Sequence, residues 1–386
     1  MQQLTGVLRT YPWGSRTLIP QLRGLPVPSD RPEAELWFGA HPGAPSTIDG
    51  TPLTDIIAAD PDAALGPRVR AEHGDGLPFL LKLLAAAEPL SLQAHPSAEQ
   101  AEEGYAREDH QGIPLGAGNR NYKDPSHKPE LIVALTEFDA MAGFRPLEQT
   151  RELFDVLSCP QLDRYLTILD PANEADSLRG LFTTWITIPG SARTELIDAV
   201  VTAAADHLDR DDWISGVLRT VLELQDRYPG DIGVLGALLL NHVTLQPGEA
   251  IYLDAGQLHA YVRGLGVEIM ANSDNVLRGG LTSKYVDVPE LVRVLDFTSL
   301  SELIVEPEDG EYPVPVPEFR LTRREVTDAA PWTIDHDGPA IALCTAGKVM
   351  VGDIELNPGD AAWIPAADGP VTATAAESAE VFIACA

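Results

Sequence analysis

The chain has 386 residues, 44% of them hydrophobic, which is enough for two or three domains with sizeable cores. Its 58 acidic residues outnumber 27 basic ones and give a net charge of −31, which argues against nucleic-acid partners because such binding needs a basic face. No apolar run reaches the roughly 20 residues of a membrane span, and the start of the chain does not resemble a signal peptide. We therefore predict no membrane association and a cytoplasmic location.

The cysteine pattern points to reduced thiols. Cys159, Cys344 and Cys385 are far apart in the sequence and odd in number. Neither a disulfide framework nor a zinc cluster is built on such spacing. We predict that the three side chains are buried and unpaired.

Three textures follow one another along the chain. Residues 1–146 alternate short apolar runs with proline and glycine, which predicts strands and loops, with one short helix near Ala98–Arg107. Between residues 147 and 242, apolar residues recur three and four positions apart, as in amphipathic helices. The strand texture returns from residue 243. The predicted fold class is therefore mainly β with an α insertion.

An internal repeat refines this prediction. The segment Leu245–Leu253 resembles Leu356–Ile364, and each places a Pro-Gly-acid turn before an apolar strand. Such a turn is typical of hairpins in the jelly roll, so two copies predict two jelly-roll barrels. His259 follows the first copy, whereas Pro370 stands at the matching place after the second. Only the first barrel is expected to hold a metal in this way.

The predicted boundaries follow from these textures. We expect the N-terminal part of the jelly-roll region, with its catalytic strands, in residues 1–146, and an inserted helical domain in 147–242. The rest of the metal-binding jelly roll is expected in 243–310, and a second jelly roll without metal ligands in 311–386.

Three short motifs contain candidate metal ligands. Gln93 and His95 are two residues apart, so on a strand they point to the same face. Glu130 begins an apolar strand after Pro129, which favours extended backbone, and His259 ends the repeated turn. Taken singly, each is better explained by a structural role. Together they supply two imidazoles, a carboxylate and an amide oxygen, a donor set that suits zinc, with manganese and iron as alternatives.

The segment Gly266–Tyr285 has a different character. Apolar strand residues lead into a polar turn at 272–275, followed by Arg278, the pair Gly279–Gly280 and Lys284. Glycines allow close backbone approach to a ligand, and the two cations can meet a phosphate or an oxyanion. A solvated loop with two unrelated cations explains the local pattern equally well.

The motifs together resemble the type I mannose-6-phosphate isomerases of the cupin superfamily. The resemblance runs in family order over residues 11 to about 290, about three quarters of the chain. The segments that carry it are Tyr11–Gly14, Ala34–Pro42, Pro78–Lys82, Ser91–Pro96, Asp124–Glu130 and Gly256–Lys284. It implies one zinc ion per chain, held by Gln93, His95, Glu130 and His259, and an aldose–ketose isomerase acting on mannose 6-phosphate and fructose 6-phosphate.

The resemblance also implies roles for other residues. Arg278 matches the family's catalytic arginine and would stabilise the oxyanion of an enediol intermediate. The proton-transfer residue is left open among Lys128, Glu268 and Asp274, with His127 as a weaker candidate. The candidate substrate contacts are Ser91, Lys284, Tyr261 and His127. Trp13 and Trp37 are interpreted as core residues rather than sugar-stacking ones.

Two other classes of function remain open from the residues alone. A metal-dependent oxygenase would use two histidines and a carboxylate with iron, but Gln93 occupies a position that oxygen chemistry would need open. A non-catalytic sugar-phosphate sensor would not need all three of Arg278, Lys128 and Lys284. The expected partner is a small phosphorylated sugar, and the expected oligomeric state is a monomer, with a dimer as the alternative.

Overall fold

The computed structural model describes residues 1–328 and 330–386. The chain is mostly β-structure, its strands pair antiparallel, and helices are concentrated in the middle of the sequence. Among the described residues, no helix is long and apolar enough to cross a membrane. The mainly-β class predicted from the sequence is confirmed.

The N-terminal region contains short strands and four helices. Its strands are β1 Gln2–Leu4, β2 Val7–Arg9, β3 Glu35–Gly39, β4 Thr47–Ile48, β5 Thr51–Pro52, β6 Phe79–Ala86, β7 Leu92–Ala94, β8 Glu130–Ala134 and β9 Phe138–Phe144. Its helices are α1 Leu18–Leu22, α2 Leu53–Ala59, α3 Pro61–His73 and α4 Ala98–His110. The predicted helix is α4, which begins at a capping box of Ser97 and Gln100. Helices α1 to α3 were not predicted, because their apolar residues lack a clear helical period.

A continuous helical block follows. It consists of α5 Leu147–Leu157, α6 Asp163–Leu166, α7 Glu174–Ile186, α8 Gly190–Ala205, α9 Trp213–Arg227 and α10 Gly233–Gly236, with 3₁₀ turns at Pro171–Asn173 and Ala237–Leu239. The apolar positions that predicted these helices are buried in one cluster, as Leu153, Val200 and Leu218 illustrate. The cluster also includes Leu92 and Leu277 of neighbouring strands, so the block packs directly on the sheet.

The rest of the chain returns to strands. It contains β10 Leu240–Leu245, β11 Ala250–Leu253, β12 His259–Ala271, β13 Leu277–Gly280, α11 Val288–Val294 and β14 Ile304–Val305. It continues with β15 Glu311–Tyr312, β16 Arg320–Val326, β17 Trp332–Ile334, β18 Ala340–Ala346, β19 Val349–Val351, β20 Ile354–Leu356, β21 Ala361–Ile364, a 3₁₀ turn Ala366–Asp368, β22 Val371–Thr374 and β23 Ala379–Cys385.

The long strand β12 organises the largest sheet. Its first residues pair with β7 and β9, and the remainder pairs with β6 and β8. Through these pairings, 11 strands between β2 and β14 form one hydrogen-bonded network. Five strands near the C-terminus form a sheet of six together with β1, and four others form a separate sheet. The single strand β12 therefore connects the part of the network formed by β7 and β9 to the part formed by β6 and β8.

Side chains alternate across these sheets with a period of two. Along β6, Leu81 and Leu83 enter an apolar layer shared with β18, β21 and β23 of the six-stranded sheet, whereas Leu80, Lys82 and Leu84 line a cavity on the other side. All eight residues of β6 are buried. The shared layer therefore joins the two sheets, and the opposite face of the larger one is available for chemistry.

The repeated segments adopt the same turn but do not form hairpins. Gly248 and Gly359 have φ of 95° and 86°, values that glycine adopts without strain. The Glu249 amide donates to the Gln246 carbonyl at 2.9 Å, and the Asp360 amide donates to the Asn357 carbonyl at 2.8 Å. However, β10 pairs with β9 while β11 pairs with β8 and β14. Each turn thus connects strands that have other partners, and the predicted hairpin is wrong.

The first strand departs from the predicted layout. Strand β1 pairs with β21, with Gln2 opposite Trp363 and Leu4 opposite Ala361. The start of the chain therefore contributes an edge strand to the C-terminal sheet. Nothing in three residues of local sequence specifies so distant a partner.

Candidate active site

Strand register brings the predicted metal ligands together. His259 at the start of β12 is opposite Gln93 of β7, and Gln93 is in turn opposite Arg278 of β13. Further along β12, Met270 is opposite Glu130. His95 directly follows β7. The register of the strands thus brings together four side chains that are far apart in sequence.

Three of these side chains form a buried cluster with ligand geometry. His95 Nε2 and His259 Nε2 each lie 3.4 Å from Glu130 Oε2, and the three side chains are only 1–2% exposed. Their ligand atoms all lie within 4.8 Å of one another. None of the three atoms has a hydrogen-bond partner among the described residues. Because buried polar atoms are rarely left unpaired, this convergence fits a bound cation.

Backbone carbonyls fix the orientation of both imidazoles. His95 Nδ1 lies 2.7 Å from the Asn275 carbonyl, and His259 Nδ1 lies 2.9 Å from the Gln257 carbonyl. A carbonyl only accepts, so each Nδ1 carries the proton and each Nε2 presents its lone pair to the cluster. Asn275 was predicted only as part of a polar turn. Its fully buried amide donates to the carbonyls of Asp124 and Ser126 and fixes that turn.

The charges of the cluster suit metal binding. Burial lowers the pKa of His95 to about 4, so its imidazole is neutral near pH 7. Burial alone would raise the pKa of Glu130, but the Lys128 ammonium and the two imidazoles hold it well below its usual range. Lys128 Nζ lies 2.9 Å from Glu130 Oε1. A neutral imidazole, as at His95, and an ionised carboxylate, as at Glu130, are the states in which these groups bind a metal.

The cluster lies beside a cavity of about 470 Å³, a volume that suits a small ligand. Gln93 and Glu130 form part of its lining, together with the predicted residues Ser91, Lys128, Tyr261, Glu268, Asp274, Arg278 and Lys284. The net charge of the chain is strongly negative, yet Lys128, Arg278 and Lys284 all face this one cavity. An anionic ligand would therefore meet a local concentration of cations.

A buried ionic network occupies one wall. Glu268 accepts from Lys82 Nζ and from the Tyr261 hydroxyl, each at 2.8 Å, and Glu35 lies 3.5 Å from Lys82. Burial opposes the charge of Lys82, but the carboxylates of Glu268 and Glu35 raise its pKa above its ordinary value. Glu268 does not contact His259, which is oriented by the Gln257 carbonyl. Lys82 was not predicted as a site residue, although a lysine inside the apolar run 79–84 was the available signal.

A second pair lies at the cavity mouth. The Gly43 amide donates to His41 Nδ1 at 3.1 Å, so Nε2 carries the proton. That nitrogen lies 3.3 Å from Asp274 Oδ1. The hydrogen bond from His41 lowers the pKa of Asp274, which keeps this carboxylate ionised. His41 lay within a motif of the resemblance but was not predicted as a site residue.

One predicted placement requires correction. His127 does not contribute to the cavity lining, because consecutive residues of an extended chain point to opposite sides. Lys128 points inward, and His127 Nε2 lies 2.6 Å from Glu318 Oε1. Trp37 is buried in an apolar cluster and Trp13 packs against another, as their interpretation as core residues expects, and both also line the cavity.

Comparisons with known proteins agree with this geometry. The family model described as phosphomannose isomerase type I, catalytic domain, matches residues 1–147. The mannose-6-phosphate isomerase of Escherichia coli is 38% identical over 96% of each chain. A crystal structure of the apo form of mannose 6-phosphate isomerase from Salmonella typhimurium is 37% identical and covers 100% of this chain and 98% of its own, with a TM-score of 0.90. A zinc-bound crystal structure of mannose 6-phosphate isomerase is 36% identical, covers 99% and 98% of the two chains, and has a TM-score of 0.89. With such identity over nearly its whole length, the chain belongs to the type I phosphomannose isomerase family.

Proposed function

We propose that this chain is a zinc-dependent isomerase that interconverts mannose 6-phosphate and fructose 6-phosphate. The observation that carries the proposal is the convergence of three unpaired buried atoms, His95 Nε2, His259 Nε2 and Glu130 Oε2, beside a cavity lined by four cationic side chains. Membership of the family supports the same reaction. The site combines a place for a metal with a place for an anionic sugar.

The ligand set suits zinc. His95, His259 and Glu130 would hold the ion, with the amide oxygen of Gln93 as the fourth ligand, and a related structure is described as zinc-bound. When bound, zinc supplies Lewis-acid polarisation of the sugar oxygens and a template for the open-chain form. The neutral imidazole of His95 and the ionised carboxylate of Glu130 need no proton release to accept it.

The isomerisation moves two protons. The proton on C2 of the aldose is transferred to C1, and the proton of the C2 hydroxyl moves to the C1 oxygen, through an enediol. Lys128 and Asp274 are the proposed proton-transfer residues. They are supported by their place in the cavity lining, whereas both oxygens of Glu268 already accept hydrogen bonds. Arg278 is proposed to stabilise the oxyanion, because a cation beside a developing negative charge lowers its energy.

The remaining cavity residues are proposed to bind the substrate. Lys284 and Ser91 would contact the phosphate, and Tyr261 and Glu268 would form a rigid surface for the sugar. The Tyr261 hydroxyl donates to Glu268, and burial raises the pKa of Tyr261 well above its usual value, so this donor stays protonated. His127, paired with Glu318, is proposed to support Lys128 rather than touch the sugar.

We also propose the finer architecture predicted from the sequence, with two jelly rolls and a helical insertion. It is supported by the uninterrupted helices between Leu147 and Gly236 and by the change of sheet between β14 and β15. The monomer and the cytoplasmic location stay predictions. Three buried, unpaired cysteines suit a reducing compartment, and sedimentation in solution checks the oligomeric state.

A coupled assay tests the function. The purified protein is stripped of metal by a chelator, reloaded with zinc and supplied with mannose 6-phosphate, while fructose 6-phosphate formation is followed. We expect turnover only after zinc is restored, and far weaker turnover of unphosphorylated mannose. Full turnover in the stripped protein would contradict the metal requirement, and no turnover of mannose 6-phosphate by the zinc-loaded protein would overturn the function.

A further inference from the structure

A carboxylate outside the cavity holds part of its wall. Asp231 lies in the helical block, between α9 and α10, and does not itself line the cavity. Residues 281–284 do line it. They form a loop that begins at the end of β13, the strand of Arg278, and includes Lys284. The position of this loop sets where the Lys284 ammonium stands relative to Arg278.

Asp231 accepts hydrogen bonds from three backbone amides. Its Oδ1 lies 2.7 Å from the Gly233 nitrogen and 2.7 Å from the Leu281 nitrogen, and its Oδ2 lies 3.4 Å from the Thr282 nitrogen. One short side chain therefore links the start of α10 to the loop. Charge-assisted hydrogen bonds of this kind are stronger than neutral ones.

The loop backbone is shaped for this contact. Gly280 has φ of 137°, and a Cβ there would lie 2.7 Å from the Gly233 nitrogen and 2.8 Å from Asp231 Oδ1. Leu281 has φ of 55°, which is uncommon for a residue with a branched side chain. The expectation that Gly280 leaves room for a ligand is wrong: it leaves room for the helical block. Without an acceptor at Asp231, the Leu281 amide would lose this hydrogen bond, and the conformation would depend on packing of the buried Leu281 side chain.

The same part of the helical block reaches the opposite wall. Tyr228 lines the cavity, and its hydroxyl donates to the Pro89 carbonyl at 2.8 Å. Pro89 is two residues before Ser91. The four residues from Tyr228 to Asp231 therefore contact both segments to which phosphate binding is assigned.

We propose that Asp231 is a positioning residue, which sets the affinity of the cavity for the phosphate group by fixing the loop that carries Lys284. This inference rests on the proposed function. It gives the helical block a part in substrate recognition, although α5 to α10 contribute no residue to the cavity lining. Asp231 acts through the place of its oxygen acceptor, since its own negative charge would only weaken the binding of an anion.

Three substitutions separate acceptor position from charge. D231A removes the acceptor, D231E keeps the charge but displaces the acceptor by one methylene, and D231N keeps an acceptor oxygen without the charge. We expect KM for mannose 6-phosphate to rise about fivefold or more in D231A and D231E, as the loss of one or two hydrogen bonds implies. We expect D231N, which keeps an acceptor for the two short hydrogen bonds but loses their charge assistance, to raise KM less than either of these variants. Turnover at saturation and zinc content should change little in all three.

Inorganic phosphate provides a readout that does not depend on catalysis. Its inhibition constant should rise with KM in D231A and D231E. The control is D226A, since Asp226 is exposed on α9 and no hydrogen bond joins its carboxylate to the described residues. If D231A does not fold, D231E decides the matter.

Two results would overturn the inference. In the first, KM and the phosphate constant follow charge, falling in D231A and D231N and staying constant in D231E. In the second, all three variants keep the parent values. An inactive parent protein would instead count against the proposed function, so the two failures are distinguishable.

Discussion

The two β-rich halves of this chain use the same local turn and similar strands, but they fill the inner faces of those strands differently. On β6, the face away from the shared apolar layer presents Leu80, Lys82 and Leu84 to the cavity. On β23, the corresponding face presents Val381 and Ile383 to a closed apolar cluster. At the matching position after the repeated turn, the first half has His259 and the second half has Pro370.

This difference teaches where function enters the fold. The turn and the shared apolar layer are present in both halves, so neither of them distinguishes the half that contains the cavity. The chemistry depends on a few inward side chains that replace apolar ones, such as Glu130, Lys82 and Glu268. These polar groups are tolerated because each is paired or, in the metal cluster, is completed by a cation.

The largest effect should come from the metal cluster. Glu130→Gln removes the only charged ligand, so we expect loss of bound zinc and of nearly all turnover. Metal content and the coupled assay measure both. Glu355→Gln is the matched control in the second half, where Glu355 is half exposed and paired with Lys348. A metal-loaded, active Glu130→Gln variant would contradict the assignment.

A smaller effect is expected at Arg278. Arg278→Ala should lower turnover about a hundredfold or more, as loss of an oxyanion donor does in other enzymes, while zinc stays bound. Arg278→Lys should recover only part of the rate because an ammonium lacks the planar fork of donors. Near-normal turnover of the alanine variant would rule out this role.

The paired turns offer a direct comparison of the halves. Leu245 and Leu356 occupy the same position of the repeat, and both are fully buried. Replacing either with alanine should lower the free energy of unfolding by about 2–5 kcal/mol. Only Leu245→Ala should also weaken zinc binding, because Leu245 packs in the cluster that contains Tyr261. Equal loss of zinc in both variants would remove the distinction between the halves.

The smallest effect concerns acid stability. Burial lowers the pKa of His242 to about 3, whereas an unfolded histidine titrates near 6.5. The unfolded chain therefore binds a proton that the folded chain excludes, and stability falls as the pH drops from about 6.5 towards 3. His242→Gln keeps a donor for the Ala237 carbonyl and removes this term, worth about 2 kcal/mol near pH 5.

Denaturant unfolding near pH 7 and near pH 5 measures this difference. The control is His110→Gln, because His110 is exposed. Identical pH dependence of the His242→Gln variant and the parent would show that this histidine does not resist protonation.

Local patterns predicted part of this molecule well. Apolar residues three and four positions apart indicated the helical block, because each helix encodes its own buried face. Leu153, Val200 and Leu218 are examples from three of these helices. The repeated turn was also visible, although not the partners of its strands. The metal ligands could not be distinguished from structural residues motif by motif, since their convergence depends on the register of β7, β8 and β12. Family resemblance supplied what local physics could not.

The features that escaped prediction are contacts over long distances in the sequence. The Asp231 carboxylate meets the Leu281 amide, and Glu318 meets His127, with no local signal at either end. In the sequence, a carboxylate that accepts hydrogen bonds from backbone amides cannot be distinguished from one that faces solvent. Lys82 is the exception, because a lysine within a buried strand requires a buried partner.

The pairing of β1 with β21 affects how the molecule is made. Gln2 and Trp363 are neighbours in one sheet although they are about 360 positions apart. At the usual speed of a ribosome, roughly 20 to 70 seconds separate the synthesis of two such segments. During that interval the N-terminal strand has no partner, and the sheet it completes does not yet exist. The C-terminal half therefore reaches its final form only when both ends of this sequence have been made and have met.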